Sequence, residues 1–502
     1  MKTRSVLIRF PAYPIALADL MPDHRLASLA ACLTQAGHRT RIADYGTLSV
    51  LARLFPKTEY EPRSRRFPLS SKLPETMLGL CRELAQNLGR DKDLSFLLIH
   101  IDSPDALRPS ALLAEQLRGL RPSLPLWAYL APPVWPTKRP KHYDSLFSHT
   151  DELTVVAHAD RLGGAHREWG CQALEPGLAE PSRATTPGAH FSIKALPAPC
   201  YGQEHYPALV GDGKLKLFTV EETREFARSQ NFLVFKPCRQ VMDEVQGICV
   251  DAGARAVHFS SAAASLRHIE HVAQHLRAHR PRLLYSRHLR IDTLASADLP
   301  RLRQSGCAAL SFQLDTGSQH LLDHYYGHAF TVTQPETMLR AAKRAGLYTL
   351  AALNYPCPVD DFHTRAETLR ILERSRPDGA YLAMAGVAQT RLPITSPGIH
   401  PFRAARDPRS PDERRHEQQT LLHDIAQLQI GAGLTPPLVV MAQATGHGQR
   451  EEEFGARLQR LFHRGDMEEL QHWVIAFNRQ AVPASASTAH SLTRAPHAIG
   501  EN

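Results

Sequence analysis

Residues 214–245 read KLKLFTVEETREFARSQNFLVFKPCRQVMDEV. The apolar run Leu215, Leu217 and Phe218 predicts a strand, residues 221–230 a charged loop, and residues 237–245 the start of a helix. One strand, one loop and one helix make the repeating unit of a β/α barrel. In such a barrel the loops after the strands carry the chemistry, so the content of this loop bears directly on whether the chain is an enzyme.

Downstream the alternation continues. Strands are expected over residues 214–219, 254–259, 283–290, 308–313, 348–354 and 379–384. Amphipathic helices are expected between them, over 238–252, 265–279, 297–305, 334–345 and 364–375. Six such units predict a partial (βα)6 barrel of TIM type, with the loops at the carboxyl ends of its strands facing one mouth.

Upstream, residues 5–10 predict a strand, 24–37 a helix stopped by Gly37, and 40–44 a second strand. After a polar insertion with helical character over 63–93, strands are expected over 94–101, 124–130 and 153–156, with a helix over 107–120. The pattern predicts a doubly wound parallel sheet of flavodoxin-like type. The expected organisation is a sheet domain over 1–174, a Pro-, Ala- and Ser-rich linker over 175–207, the barrel over 208–400, a helical region over 401–480 and a disordered tail over 481–502. Within the helical region, 411–430 reads as a helix, 438–441 as an isolated apolar run, and 454–462 with 467–477 as a helical hairpin packed on the barrel. Residues 393–411 are expected to loop across its mouth.

Two sets of residues carry a resemblance. The run 22–44, PDHRLASLAACLTQAGHRTRIAD, is similar to the opening of the cobalamin (B12)-binding domain found in B12-dependent radical S-adenosylmethionine (SAM) enzymes. The run 299–319, LPRLRQSGCAALSFQLDTGSQ, resembles a motif of the radical SAM barrel, as do 335–346 and Asn354-Tyr355-Pro356-Cys357-Pro358. The resemblance spans both domains and implies a B12-binding-like sheet followed by a radical-SAM-like barrel. It also implies places where the chain departs from the pattern. Where the family has a Gly-Gly pair after the fourth strand, this chain has Leu130-Ala131-Pro132-Pro133. Where the family has a Gly-rich turn after the fifth, it has Ala157-His158-Ala159-Asp160. Glycine serves at such places because a side chain would block close approach of a cofactor. A sheet kept for packing alone is the competing reading.

The larger departure is in the first loop. The family's C-x3-C-x2-C motif supplies three thiolates to a 4Fe–4S cluster, because soft anionic sulfur holds iron. By the resemblance, Thr223, Ala227 and Gln230 stand at those positions, and Cys238 is the only cysteine nearby. No metal site is therefore expected. The resemblance further assigns Asp315, Thr316 and Gly317 to cofactor contact, with Arg287 as a partner for a carboxylate or phosphate. Ser260 and Ser261 stand where the family often has an Asp pair. Arg290 is equally able to cap its strand by pairing with Asp292, and His258, His288 and Asp315 are candidates for a metal or acid–base set.

The chain as a whole is ordinary in composition, with 43% apolar and 22% charged residues over 502 positions. A net charge of +9 permits an anionic partner, but the basic residues are scattered, and nucleic acid is not expected. The eight cysteines are spread singly, without close metal-ligand spacing. The N-terminal apolar run is too short for a signal peptide, and nothing approaches the ~18 residues of a membrane span. A cytoplasmic protein is expected. Three functional readings follow: a pseudoenzyme that partners an active enzyme or binds a small molecule or peptide; an enzyme using SAM or cobalamin without a cluster, for example a methyltransferase; and an RNA-associated protein.

Overall fold

The computed structural model describes residues 2–11, 17–54, 73, 75–103, 106–130, 141–148, 152–164, 196–225, 233–261, 264–280, 283–328, 330–382, 409–433, 435–444 and 467–479. Ala227, Gln230, residues 131–133, the first arm of the expected C-terminal hairpin and the tail beyond 480 lie outside them.

The N-terminal part is a five-stranded parallel sheet built from β1 (Arg4–Arg9), β2 (Arg39–Asp44), β3 (Phe96–Ile101), β4 (Leu126–Leu130) and β5 (Ser145–Ser148), in the order β2-β1-β3-β4-β5. This is the flavodoxin-like order, with its topological switch point between β1 and β3. Strand β3 is buried along its whole length, as a central parallel strand covered on both faces requires. The helix His24–Gln35 starts where Asp23 accepts the Leu26 N–H, and it buries Leu26, Leu29, Ala30 and Leu33.

One expected strand is corrected. Residues 153–156 lie inside the helix Glu152–Leu162, and the fifth strand precedes it. The β-branched pair Val155-Val156 mimics a strand, but with Ala159 it forms a buried patch at helical spacing. Residues 157–160 are consequently helix rather than a cofactor-side turn. Asp160 turns inward to His38, 3.2 Å away.

The second sheet has seven strands in the order β14-β13-β12-β11-β10-β9-β6, and every pairing is parallel. Its members are β6 (Leu217–Val220), β9 (Ala256–Phe259), β10 (Leu284–Arg290), β11 (Cys307–Asp315), β12 (Tyr348–Leu353), β13 (Gly379–Leu382) and the two-residue β14 (Gly431–Ala432). Strand order follows chain order, so the sheet curls as an open barrel with β6 and β14 at its edges. The loop after β6 contains a short antiparallel pair, β7 (Thr223–Glu225) with β8 (Leu233–Phe235), which the charged composition of the loop had concealed.

Alternation along the strands divides the barrel wall. Val257, Phe259, Tyr285, Leu289, Leu310 and Phe312 belong to the apolar layer shared with the surrounding helices. Ala256, Leu284, Ala309 and Leu350 face the other way, onto the helix Pro436–Ala444, whose Leu438, Val439, Val440 and Met441 close the lower end of the barrel. The apolar run 438–441 is thus a plug helix. The helix Met467–Arg479 completes this layer with Trp473, Val474 and Phe477.

The two sheets share one core. The largest apolar cluster includes Leu26, Phe96 and Trp127 of the N-terminal domain and Phe218, Val245 and Phe259 of the barrel. Residues 196–207 of the stretch expected as linker, continuing to 209, pack against both sheet units at intervals: Leu196, Tyr201, Tyr206 and Leu209 are buried, and His205 O accepts the Ile42 N–H at 2.7 Å.

Candidate functional site

Residues 221 and 222 leave the first barrel strand as a pair of glutamates pointing to different partners. Glu222 is fully buried and receives Arg287 through both guanidinium nitrogens, at 2.5 and 3.0 Å, with His268 at 3.1 Å. Burial works against its ionisation, but Arg287 and His268 outweigh burial and hold the carboxyl below its ordinary range. Arg287 lies 4.4 Å over the Phe259 ring, on the helix side of the sheet. Glu221 ion-pairs with Arg25 of the N-terminal domain, and Lys236 pairs with Glu244 at 2.6 Å. Three carboxylates therefore meet three permanent cations, and His24 sits 3.6 Å from both Glu221 and Glu244. The N–H groups of Glu222 and Thr223 both donate to Ser261 Oγ, at 2.9 and 3.0 Å, which fixes the start of the loop.

A second ionic group fills the switch point of the first sheet. Arg9, at the end of β1, donates to Met21 O at 2.6 Å and to Asp102 at 3.2 Å, and it has Asp19, Asp23 and Asp44 within 3.9 Å. Lys214 reaches in from the barrel side, 2.7 Å from Asp44 and 2.9 Å from the carbonyls of Asp19 and Gly46. Burial lowers the Lys214 pKa to about 8 although Asp44 opposes it. Tyr206 accepts the Asp23 N–H and donates to Asp44. Asp23 caps its helix with Oδ1 and holds His100 at 2.5 Å with Oδ2. Burial disfavours its charge, yet His100, Arg9 and the Leu26 N–H together keep its carboxyl well below the usual range.

The concave face of the barrel, above the plug helix, is polar. His258 Nδ1 lies 2.8 Å from Ser286 Oγ, His288 Nδ1 3.1 Å from Ser311 Oγ, and Ser311 Oγ 2.7 Å from the Tyr381 hydroxyl. These residues have the same strand parity as Ala256, Leu284 and Ala309 below them, so they line the same face. Burial, then the neighbouring His288 and Arg287, push the His258 pKa down to about 3. Burial likewise pushes His288 down to about 4, against the pull of Asp315. Both imidazoles are neutral at pH 7.

Asp315 ends β11 at a bulge, with φ +60°. That left-handed conformation is costly for an aspartate and marks a backbone held by its surroundings. Its carboxylate is 2.7 Å from His328 Nε2 and accepts from Gln313 Nε2 at 3.1 Å. The His328 ring is stacked between Tyr326 and Phe330, with ring centroids 5.8 and 4.8 Å away. Thr316 and Gly317 pack on the helix Phe362–Ser375, where Gly317 N donates to Thr368 Oγ1 at 2.9 Å. A Cβ on Gly317 would come within 2.5 Å of Thr368 Cα, so glycine here serves helix–strand packing.

The expected residues are thus divided. His258, His288 and Asp315 lie on neighbouring strands near the barrel mouth, whereas Arg287 points to the opposite side of the sheet and is matched by Glu222. Arg290 pairs with Asp292 at 2.5 Å. Ser261 acts on the backbone of the first loop. Among the described residues no group of three His, Cys, Asp or Glu side chains could hold a metal ion. Cys238 opens the helix Cys238–Asp251 and lines an outer groove of about 540 Å³ with Met242, His275 and His279. Burial raises its thiol pKa. Sequence reasoning missed Glu222, His328 and Lys214. A doubled Glu directly after an apolar strand was the one signal available for the first.

No family model and no curated protein matches the chain. Solved structures do. The radical SAM methyltransferase TsrM from Kitasatospora setae, with cobalamin and a 4Fe–4S cluster bound, superposes with a TM-score of 0.56 at 10% identity, covering 94% of this chain and 100% of that one. The same enzyme with tryptophan substrate and the SAM analogue aza-SAM gives 0.56 at 11% identity over 93% and 100%. The cobalamin-dependent radical SAM enzyme OxsB with aqua-cobalamin and SAM bound gives 0.52 at 11% identity, over 74% of this chain and 52% of that one. The fold is therefore that of cobalamin-dependent radical SAM enzymes, in which a doubly wound sheet precedes an open parallel barrel. No helix among the described residues is long and apolar enough to cross a membrane.

Proposed function

We propose that this chain keeps the architecture of a cobalamin-dependent radical SAM enzyme without its cluster chemistry, and acts as a pseudoenzyme that binds a small molecule or peptide beside an active enzyme. The observation that carries this is the first loop. Thr223, Ala227 and Gln230 offer a hydroxyl, a methyl and an amide where three thiolates would be needed. The residues present do not fit a 4Fe–4S cluster.

Two further observations support the reading. The Asp315 carboxylate, which the resemblance assigns to cofactor contact, is engaged by His328 and Gln313. The switch-point crevice of the first sheet, where ligands of such sheets bind, is filled by Arg9, Asp23, His100, Tyr206 and Lys214 from the chain itself. An active enzyme using SAM or cobalamin without a cluster is the second reading, favoured by the polar concave face that the barrel retains.

Anaerobic reconstitution with iron and sulfide tests the first reading. Iron should remain far below one cluster per chain and no sulfur-to-iron absorption should develop; stoichiometric iron would overturn it. Titration with hydroxocobalamin and with SAM separates the two readings, since the second requires saturable binding of at least one.

A further inference from the structure

We propose that His275 and His279, on the outer surface of the barrel, form a two-imidazole chelate for a divalent transition-metal ion of the zinc, nickel and copper class, with water completing its shell. The site goes beyond the proposed function and does not rest on it.

Both residues belong to the helix Leu266–His279, four positions apart near its C-terminal end. That spacing places two side chains on one helix face, with Cβ atoms about 5–6 Å apart, and histidine pairs at this spacing are a recurrent way for a helix to hold zinc. Here the rings already stand side by side, with centroids 4.2 Å apart and planes inclined by 43°. Among the described residues neither imidazole takes part in a hydrogen bond or an ion pair. Both side chains are exposed. Rotation about their own bonds therefore suffices to bring one nitrogen of each to the roughly 2.0–2.1 Å of a zinc–imidazole bond.

The surroundings favour a cation at this place. The pair borders the outer groove of about 540 Å³, where the facing helix Cys238–Asp251 supplies Asp243. The carboxylate of Asp243 acts electrostatically on His275. The helix dipole acts in the same direction, because the last carbonyls of a helix carry partial negative charge and His279 is the final residue of this one. Two guanidiniums oppose a cation only weakly. Arg239, 3.9 Å from Asp243, is almost wholly exposed and screened by water, and Arg280 is turned to Gln246. Partial burial, then the neighbouring His279, lowers the His275 pKa from its ordinary 6.5, so at pH 7 this ring is neutral and offers a lone pair. Imidazole nitrogen suits zinc, copper and nickel, whereas magnesium and calcium prefer oxygen. The Cys238 thiol, its pKa raised by burial, keeps its proton and is not a ligand. Two protein ligands and solvent make an open site, outside any group of three chelating side chains. An ion held there would brace the end of the helix whose first turn presents His268 to Glu222.

Calorimetric titration of the full, chelator-treated chain with zinc chloride and with nickel chloride tests the site, with magnesium chloride as the hard-cation control. Because the chain has 27 histidines, the variants decide the outcome. His275→Asn and His279→Asn should each weaken the tightest zinc or nickel site by roughly tenfold or more, since a lone imidazole loses the chelate. His271→Asn, one turn earlier on the same helix and not among the residues lining the groove, should leave that site unchanged, as should Cys238→Ser. Zinc should also raise the melting temperature of the unmodified chain, as a ligand bound only to the folded helix must, and this rise should shrink in the two site variants. All four positions lie on the outer surface, and circular dichroism shows that each variant keeps its fold. The inference is overturned if zinc and nickel are both silent at millimolar concentration, or if magnesium binds as tightly as either. It is equally overturned if folded His275→Asn and His279→Asn bind like the unmodified chain, or if the site is lost in His271→Asn or Cys238→Ser.

Discussion

Replacing Arg287 by methionine removes the guanidinium from a Glu222 carboxylate whose side chain has no solvent exposure. Two contacts, at 2.5 and 3.0 Å, disappear, and the Phe259 ring loses the cation stacked on it. Removing one partner of a buried ion pair usually costs about 3–5 kcal/mol, because the other charge is left uncompensated. His268, 3.1 Å from Glu222, stays in place as a second polar neighbour of the carboxylate. The expected loss is therefore at the lower end, about 3 kcal/mol. At about 2–4 °C per kcal/mol for a larger domain, the melting temperature should fall by roughly 6–12 °C at pH 7. Differential scanning calorimetry and urea denaturation would measure it. The double variant Glu222→Gln with Arg287→Met removes both charges and should be less destabilised than the sum of the single changes, with a coupling of at least ~2 kcal/mol. If Arg287→Met costs under ~1 kcal/mol and shows no coupling to Glu222→Gln, the guanidinium is not committed to Glu222. Arg287 would then return as a candidate ligand-binding residue.

Three other outcomes follow from the same geometry. The pKa values of His258 and His288 are depressed to about 3 and about 4 from an ordinary 6.5. The unfolded chain therefore takes up two protons below pH 6.5 that the folded chain refuses, so stability is full above that pH and falls as pH drops toward 4. The loss from pH 7 to 5 should be about 2 kcal/mol per histidine, and the slope of denaturation midpoint against pH should flatten in His258→Asn with His288→Asn. Gly317→Ala should cost about 1–3 kcal/mol, read by thermal melting, since its Cβ would press on the Thr368 backbone at 2.5 Å. Asp44→Asn should leave Lys214 and Arg9 poorly matched and lower stability by about 3 kcal/mol or more, with faster proteolysis in the 196–209 segment that links the sheets.

Much of the barrel was legible because each strand is a short apolar run followed by a helix with a single apolar stripe. The six strands expected from the sequence all occur, and the edges differ by a few residues where the chain bends out of the sheet. The fifth strand of the first sheet was missed for a physical reason. Ser145–Ser148 is short, with polar ends, whereas Val155-Val156 looked like strand but sits on a buried helix face. At the candidate site the sequence located His258, His288 and Asp315 near the same strand ends. It could not give strand parity for Arg287, because a buried arginine on the helix side and one on the concave side have the same neighbours in sequence. His328 was illegible for a different reason: its contact with Asp315 depends on the bulge at Gln313 and on the ring stack of Tyr326 and Phe330, which no local pattern announces.

The two ionic groups explain why the first loop begins as it does. Glu221 binds Arg25 of the N-terminal domain, while its neighbour Glu222 binds Arg287 and His268 inside the barrel. Ser261 holds the N–H groups of Glu222 and Thr223, and Glu222 O accepts the Lys236 N–H as the chain returns at 2.8 Å. These contacts join one sheet to the other and the loop to its own base. Buried ion pairs add little net stability but penalise other arrangements strongly. Glu221 therefore acts chiefly to fix how the sheet domain meets the barrel, and Glu222 to fix the root of the loop within the barrel.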